Sequence, residues 1–285
     1  MGVVALASVR SCGVTTLALA LAATWPKDRR VLLVELDQAG GTLAAASGWP
    51  PEPSLVSLAA AARRGFDPDL VWEHCQELAG GAAVLAGPAS ADQARSALGM
   101  LAGLAGQLGM LDADVLVDCG RLDPGPSGAG VLEGADRVVL AARPRLADLH
   151  AVTTWSEADP FDSGRVGLVL VGDGPYPDAE IAEALGVEVL ARLPWDPEAA
   201  RALVSVPASA RELRLSPLAR AARSLADRLA KELAGAPPAV GSASGEVAPS
   251  APARPGALRT RVLGARRAAP VLRSTNGSTP EEVAQ

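Results

Sequence analysis

Three short stretches of this sequence combine residue types that handle phosphate and a divalent cation. The first is Ser8-Val9-Arg10-Ser11-Cys12-Gly13-Val14-Thr15-Thr16. It follows an apolar run, Val3–Val9, and precedes a stretch of helical composition, Thr15–Thr24. That is the place and length of a phosphate-binding loop, where backbone N–H groups at a helix start receive the anion. Against the pattern G-x-x-x-x-G-K-[ST], Gly13 and Thr15 match, while Ser8 replaces the first glycine and Val14 replaces the lysine. The second stretch is Glu35-Leu36-Asp37-Gln38-Ala39-Gly40-Gly41, and the third is Asp118-Cys119-Gly120. An aspartate at a strand end, opposite a threonine hydroxyl at a helix start, is a common way to hold Mg²⁺ beside a phosphate. Each residue also has a plainer reading. Asp37 and Asp118 are candidates for turn residues that end strands, and Thr15 for an ordinary helix N-cap. The order and spacing of the three stretches are more specific than any one of them.

These residues need elements to position them, and the hydrophobic pattern supplies them. Near-continuous apolar runs occur at Val3–Val9, Arg30–Leu36, Ala82–Ala86, Asp114–Asp118, Arg137–Ala142, Val166–Val171 and Val187–Leu193. Such runs suit strands covered on both faces. Helical segments lie between or after them, at Ala91–Leu108, Arg145–Glu157, Pro177–Leu185 and Pro217–Leu233. Leu55–Arg64 is Ala-rich and amphipathic. The alternation predicts an α/β fold with three layers, a mainly parallel central sheet and helices on both faces. In such sheets ligands bind outside the carboxyl ends of the strands, where the three stretches fall.

Composition narrows the field further. Hydrophobic residues make up 49% and aromatics 3%, so the core is built from Ala, Leu and Val. The net charge of −6 argues against a generally basic nucleic-acid binder. Three scattered cysteines, Cys12, Cys75 and Cys119, do not make a disulfide framework, so a reducing cytoplasm is the expected compartment. Cys12 and Cys119 are expected near one another as small apolar filling, with a redox or metal role as the alternative. Arg10 precedes an apolar run, but Val3–Ala7 lies before it, so the start lacks the charged n-region of a signal peptide. Lysine occurs only at Lys27 and Lys231.

Residues 1–234 read as one domain and 235–285 as a Pro/Ala/Gly-rich disordered tail. The tail holds six arginines against three glutamates, a net +3, which leaves −9 on residues 1–234 out of the total −6. Its distal basic segment, Ala257–Arg273, has electrostatics suited to an acidic membrane surface, nucleic-acid phosphates or an acidic protein. Gly264 and Pro270 interrupt any helix there, which favours a solvated chain.

Over residues 1–233 the chain resembles the MinD/ParA family of deviant-Walker P-loop ATPases. SVRSCGVTTLALALA resembles the family's KGGVGKTTLALNLA, and VLLVELDQAGG its VLLVDLDPQGG. ADVLVDCG resembles its Walker B strand, ADRVVLAARP the strand after it, and LPWDPEAARAL its late P-x-D loop beside the nucleotide base. The resemblance implies ATP and Mg²⁺ as ligands and an ATP-dependent dimer or a protein partner. It implies a role in septum-site determination, chromosome partitioning or pilus positioning, in the cytoplasm or peripherally at the inner membrane. By position, Thr15 and Asp118 match the Mg²⁺ site and Asp37 the carboxylate that orients the attacking water. Arg10, Ser11, Cys12, Gly13, Val14, Thr15 and Thr16 match the nucleotide-binding loop. Gly120 matches an amide close to the γ-phosphate, and Pro194 and Asp196 match the base-proximal loop, with Trp195 between them as a residue able to border a base.

The departures carry as much information. Val9 stands at the lysine that reaches across the dimer, and Val14 at the phosphate-binding lysine. Arg10 and Ser11 replace two glycines, Glu35 replaces an aspartate, and Gly172 or Asp173 falls where an adenine-binding asparagine is usual. Charge stabilisation of a transferring phosphoryl group is worth about 10²–10³ in rate per donor, so two absent lysines predict a pseudo-ATPase. In its eroded loop the chain resembles the atypical MinD-like proteins of Tad-type pilus systems. Two alternatives stand beside this: an active ATPase using Arg10 as a non-standard cation, and a nucleotide-independent adaptor for a true ATPase or secretion component.

Overall fold

Alternate residues of the first strand face opposite ways, and both faces are apolar. Val3, Ala5 and Ala7 enter one buried cluster, while Val4 and Leu6 enter another. That pattern places the strand inside a sheet covered on both sides. The computed structural model describes residues 1–63, 65, 67–78, 81–100, 107–122, 129–158, 164–204 and 215–235. The tail expected over 235–285 lies outside the described residues except for Gly235, as do residues 101–106 of the helix expected over Ala91–Leu108.

Eight strands form one sheet: β1 (Val3–Ser8), β2 (Val31–Glu35), β3 (Gln76–Glu77), β4 (Ala83–Leu85), β5 (Asp114–Arg121), β6 (Arg137–Ala142), β7 (Val166–Val171) and β8 (Glu188–Leu193). Their order is β3-β4-β2-β5-β1-β6-β7-β8, and every pairing is parallel except β3 with β4. The helices of the described residues are α1 (Val14–Thr24), α2 (Leu43–Ala46), α3 (Leu55–Ala62), α4 (Pro68–Glu73), α5 (Ala91–Met100), α6 (Ala129–Gly134), α7 (Leu146–Ala158), α8 (Asp178–Leu185), α9 (Pro197–Val204) and α10 (Pro217–Gly235). Helices α3, α7 and α8 contribute Leu58, Leu149 and Ile181 to one cluster, whereas α1 and α10 share the other. The result is the expected three-layer α/β arrangement.

Helix α10 shows why the second cluster holds. Leu218, Ala222, Leu225, Ala226, Leu229, Ala230 and Leu233 are buried at helical spacing, a stripe that lies against the Ala-rich face of α1. Small residues on both helices let the axes approach closely. At the amino end of β5, Asp114 is fully buried and accepts from Arg29 Nε at 2.5 Å, Arg29 Nη2 at 2.6 Å and Trp25 Nε1 at 2.9 Å. This pins the turn after α1 to the base of the sheet. A buried carboxylate is tolerable only when charge and hydrogen bonds compensate it, and here both do.

Candidate functional site

The strand order brings the three sequence stretches together. β5 lies between β1 and β2, with Leu6 opposite Asp118 on one side and Glu35 opposite Asp118 on the other. The carboxyl tips of β1, β2 and β5 therefore meet at one place. The loop after β1 turns into α1 through Gly13, which adopts φ +98° and ψ +37°. That left-handed geometry suits glycine and leaves the first N–H groups of α1 unpaired within the helix. Gly13 O accepts from Leu17 N–H at 2.9 Å, the first helical bond. Gly13 is thus the N-cap, Thr15 is the second residue of the helix, and the reading of Thr15 as an N-cap is corrected.

Asp118 is fully buried at the end of β5. Its Oδ1 accepts from Gly120 N–H at 2.9 Å, and its Oδ2 has no hydrogen-bond partner. Burial pushes its pKa up to about 6; the Thr15 hydroxyl and the Gly120 amide pull it down, and Glu35 and Asp37 push it further up. A buried carboxylate oxygen without a partner is costly unless something else binds it. The residues present fit a divalent cation on this ground: Thr15 and Asp118 would hold Mg²⁺, which when bound supplies positive charge to phosphate oxygens.

Asp37 folds its carboxylate over the β5 tip. Its Oδ1 accepts from Ala39 N–H at 2.8 Å. Gly120, at φ +62°, lies so close beneath that a Cβ there would overlap the Asp37 carboxylate. Glu35, by contrast, is a clamp. Its Oε1 accepts from Thr42 N–H at 2.7 Å and Leu43 N–H at 3.1 Å, and its Oε2 from Gly87 N–H at 2.9 Å. Burial raises its pKa and these three amides oppose the rise. Its longer side chain fits because Gly41 and Gly87 leave room, each Cβ position lying within 3.3 Å of Glu35 atoms. The sequence marked Glu35 only as a departure and did not reveal this role.

Beside α1 opens a cavity of about 320 Å³. The predicted residues Cys12, Gly13, Thr16, Pro194 and Asp196 line it, and so does Trp195. Arg143 and Arg201 also line it and were missed by sequence reasoning. Arg143 follows β6 at its carboxyl end, so the strand-end rule applied once more would have found it; Arg201 carries no such signal. The Arg143 guanidinium lies 5.8 Å from the centroid of the exposed Trp195 ring. Asp196 Oδ1 accepts from Ala199 N–H at 3.0 Å and so caps α9. Gly172, at φ +77°, has Trp195 Cβ 3.7 Å from its own Cβ position.

The other predicted loop residues are placed differently. Val14 is 5% exposed and belongs to the core cluster around α1. Val9 packs half-buried against the opposite cluster. Arg10 is 62% exposed, and its Nε lies 3.8 Å from Asp148 Oδ1. Ser11 is exposed, and neither it nor Arg10, Val14, Thr15 or Gly120 lines the cavity. Cys12 and Cys119 are buried in opposite clusters as free thiols, and burial pushes Cys12 up to about 11. Among the described residues, no group of three His, Cys, Asp or Glu side chains is arranged to hold a metal, and no helix is long and apolar enough to cross a membrane.

No protein-family model matches this chain, and no curated protein matches it. Solved structures do. The chain is similar to a ParA family ATPase from Chlorobium tepidum at TM-score 0.65 and 20% identity, over 79% of this chain and 98% of that one. It is similar to the septum site-determining protein MinD complexed with Mg-ADP from Pyrococcus horikoshii at TM-score 0.56 and 18% identity, over 82% and 98%. It is similar to the MinC:MinD cell division complex of Aquifex aeolicus at TM-score 0.59 and 14% identity, over 81% and 96%. Convergent strand tips, the left-handed glycine before α1 and these likenesses agree on one fold, that of the MinD/ParA-like P-loop proteins.

Proposed function

We propose that this chain is a nucleotide-binding pseudo-ATPase: it takes an adenine nucleotide with Mg²⁺ and turns it over slowly or not at all. The observation that carries the reading is the burial of Val14 in the core at the start of α1. An apolar side chain rooted there supplies no charge to a phosphate, and Val9 supplies none either. Binding is supported by what remains: the α1 amides, the Thr15–Asp118 pair, and a cavity whose walls offer Trp195 and Arg143 to a base. The structures of MinD with Mg-ADP and of MinC with MinD lend weight to a nucleotide ligand and to a protein partner. The role we assign is spatial or regulatory, in cell division, chromosome partitioning or pilus and secretion positioning.

Arg10 offers little to the alternative of an active ATPase, since its guanidinium is exposed beside Asp148 and outside the cavity. Calorimetry with Mg²⁺ and adenine nucleotides tests binding, and phosphate release tests turnover. Binding with release at background level is expected. The absence of heat at millimolar nucleotide leaves the adaptor reading, and brisk release by the unmodified chain removes the pseudo-ATPase.

A further inference from the structure

Resting on the nucleotide reading above, we propose that the site selects a nucleoside diphosphate over the triphosphate. The amides that open α1 beside Gly13 serve the phosphates nearest the nucleoside. A third phosphate would extend past them, toward the tips of β2 and β5, where Thr15 and Asp118 would hold a divalent cation. That direction offers no positive charge from the loop. Val14 is buried in one core cluster and Val9 is packed against the other.

The nearest backbone donor on β5 is taken as well. The Gly120 N–H is donated to Asp118 Oδ1 at 2.9 Å, and the Asp37 carboxylate covers Gly120 so closely that no Cβ fits between them. Arg10 is beside Asp148, and Arg121, exposed at the end of β5, is itself engaged. What the tip does present is carboxylate, including the fully buried, unpartnered Asp118 Oδ2. A divalent cation held by Thr15 and Asp118 would offset the charge of that carboxylate and of a two-phosphate chain. A third phosphate adds about one further negative charge beside Asp37 and Asp118, with neither a loop lysine nor the Gly120 amide to receive it.

The cavity fits this division of labour. Of its cations, Arg201 belongs to α9 and Arg143 faces the Trp195 ring, so recognition is weighted toward the nucleoside end of the ligand. A shorter phosphate chain loses none of those contacts.

The test is calorimetry on the full chain with ADP and ATP at one excess Mg²⁺ concentration. ADP is expected to bind at least about tenfold more tightly than ATP, the order of one missing hydrogen bond to a charged group. Equal or tighter binding of ATP overturns the selectivity and leaves the nucleotide site standing. No heat from either ligand overturns both. Asp37→Asn keeps an acceptor for the Ala39 N–H and removes one charge; it is expected to raise ATP affinity several-fold more than ADP affinity. Equal changes for the two ligands, or none, overturn the proposal. Val14→Lys is expected to move the ratio toward ATP, and Asp37→Asn keeps the test decisive if that core substitution impairs folding.

Discussion

Asp118 is held at a cost to the ligand-free protein. Its pKa, pushed up to about 6 mainly by burial, exceeds that of an unfolded aspartate, and Glu35 is shifted the same way. Between about pH 4 and 6 the folded chain therefore binds more protons than the unfolded one. Stability falls as pH rises through that window and levels off above it. Asp118→Asn keeps the oxygen that accepts from Gly120 and removes the buried charge. It is expected to stabilise the ligand-free protein at pH 7 by about 1–3 kcal/mol, from the linkage between shifted pKa and stability. Urea unfolding at pH 7 and pH 5 checks this: the gain should shrink at the lower pH. The same variant should lose the melting-temperature rise given by Mg-ADP. Val14→Lys should lower stability by about 1–3 kcal/mol, because an ammonium is brought to a core position, with its stem reaching outward to the loop. A melting curve without ligand reads that change. At this scale the sequence showed identity well and direction poorly. It located Gly13, Asp37 and Asp118, but it could not say that Val14 is turned into the core or that Arg10 stands beside Asp148. Those depend on which way a side chain leaves a loop, and no periodicity governs a loop.

Elements were the most legible level. The strands Arg137–Ala142 and Val166–Val171 agree with the structure at both ends, because a run of buried β-branched and aliphatic residues flanked by polar ones has a single solution in a parallel sheet. The short helices α2, α4 and α9 and the two-residue β3 were not read from the sequence. Four to six residues in α2 and α4 give too few turns for a helical period to show, α9 begins in the segment read as the P-x-D loop, and Gln76–Glu77 is held by antiparallel pairing with β4 rather than by its own composition. The Trp25–Arg29–Asp114 cluster was also hidden, since its members are 85 and 89 residues apart along the chain. Removing one partner of a buried ion pair costs about 3–5 kcal/mol, so Arg29→Ala is expected to lower the denaturation midpoint sharply. Lys at the same position should recover only part of the loss, because a single ammonium cannot make both of the guanidinium's bonds. Denaturant unfolding of the two variants tests this. Nucleotide affinity per folded molecule should remain unchanged in both.

For the molecule as a whole, the sheet order places every candidate ligand contact at one rim. Arg137, Glu188, Arg228 and Glu232 knit β6, β8 and α10 together elsewhere, with Arg228 Nη2 at 2.5 Å from Glu188 Oε1 and Arg137 Nε at 3.3 Å from Glu232 Oε2. If Val9 leaves the chain without a cation to offer a second copy, ATP should not promote self-association. Sedimentation velocity should give the same coefficient in Mg-ADP and Mg-ATP, and an ATP-dependent shift to a dimer would contradict this. A single strand, β5, holds both of the buried aspartates that matter most: Asp114 at its beginning, fully compensated, and Asp118 near its close, with one oxygen unpartnered. Upkeep of the shape and handling of a ligand thus belong to opposite ends of one strand. A substitution at one end of β5 can alter what the rim offers a ligand while the opposite end keeps the scaffold intact.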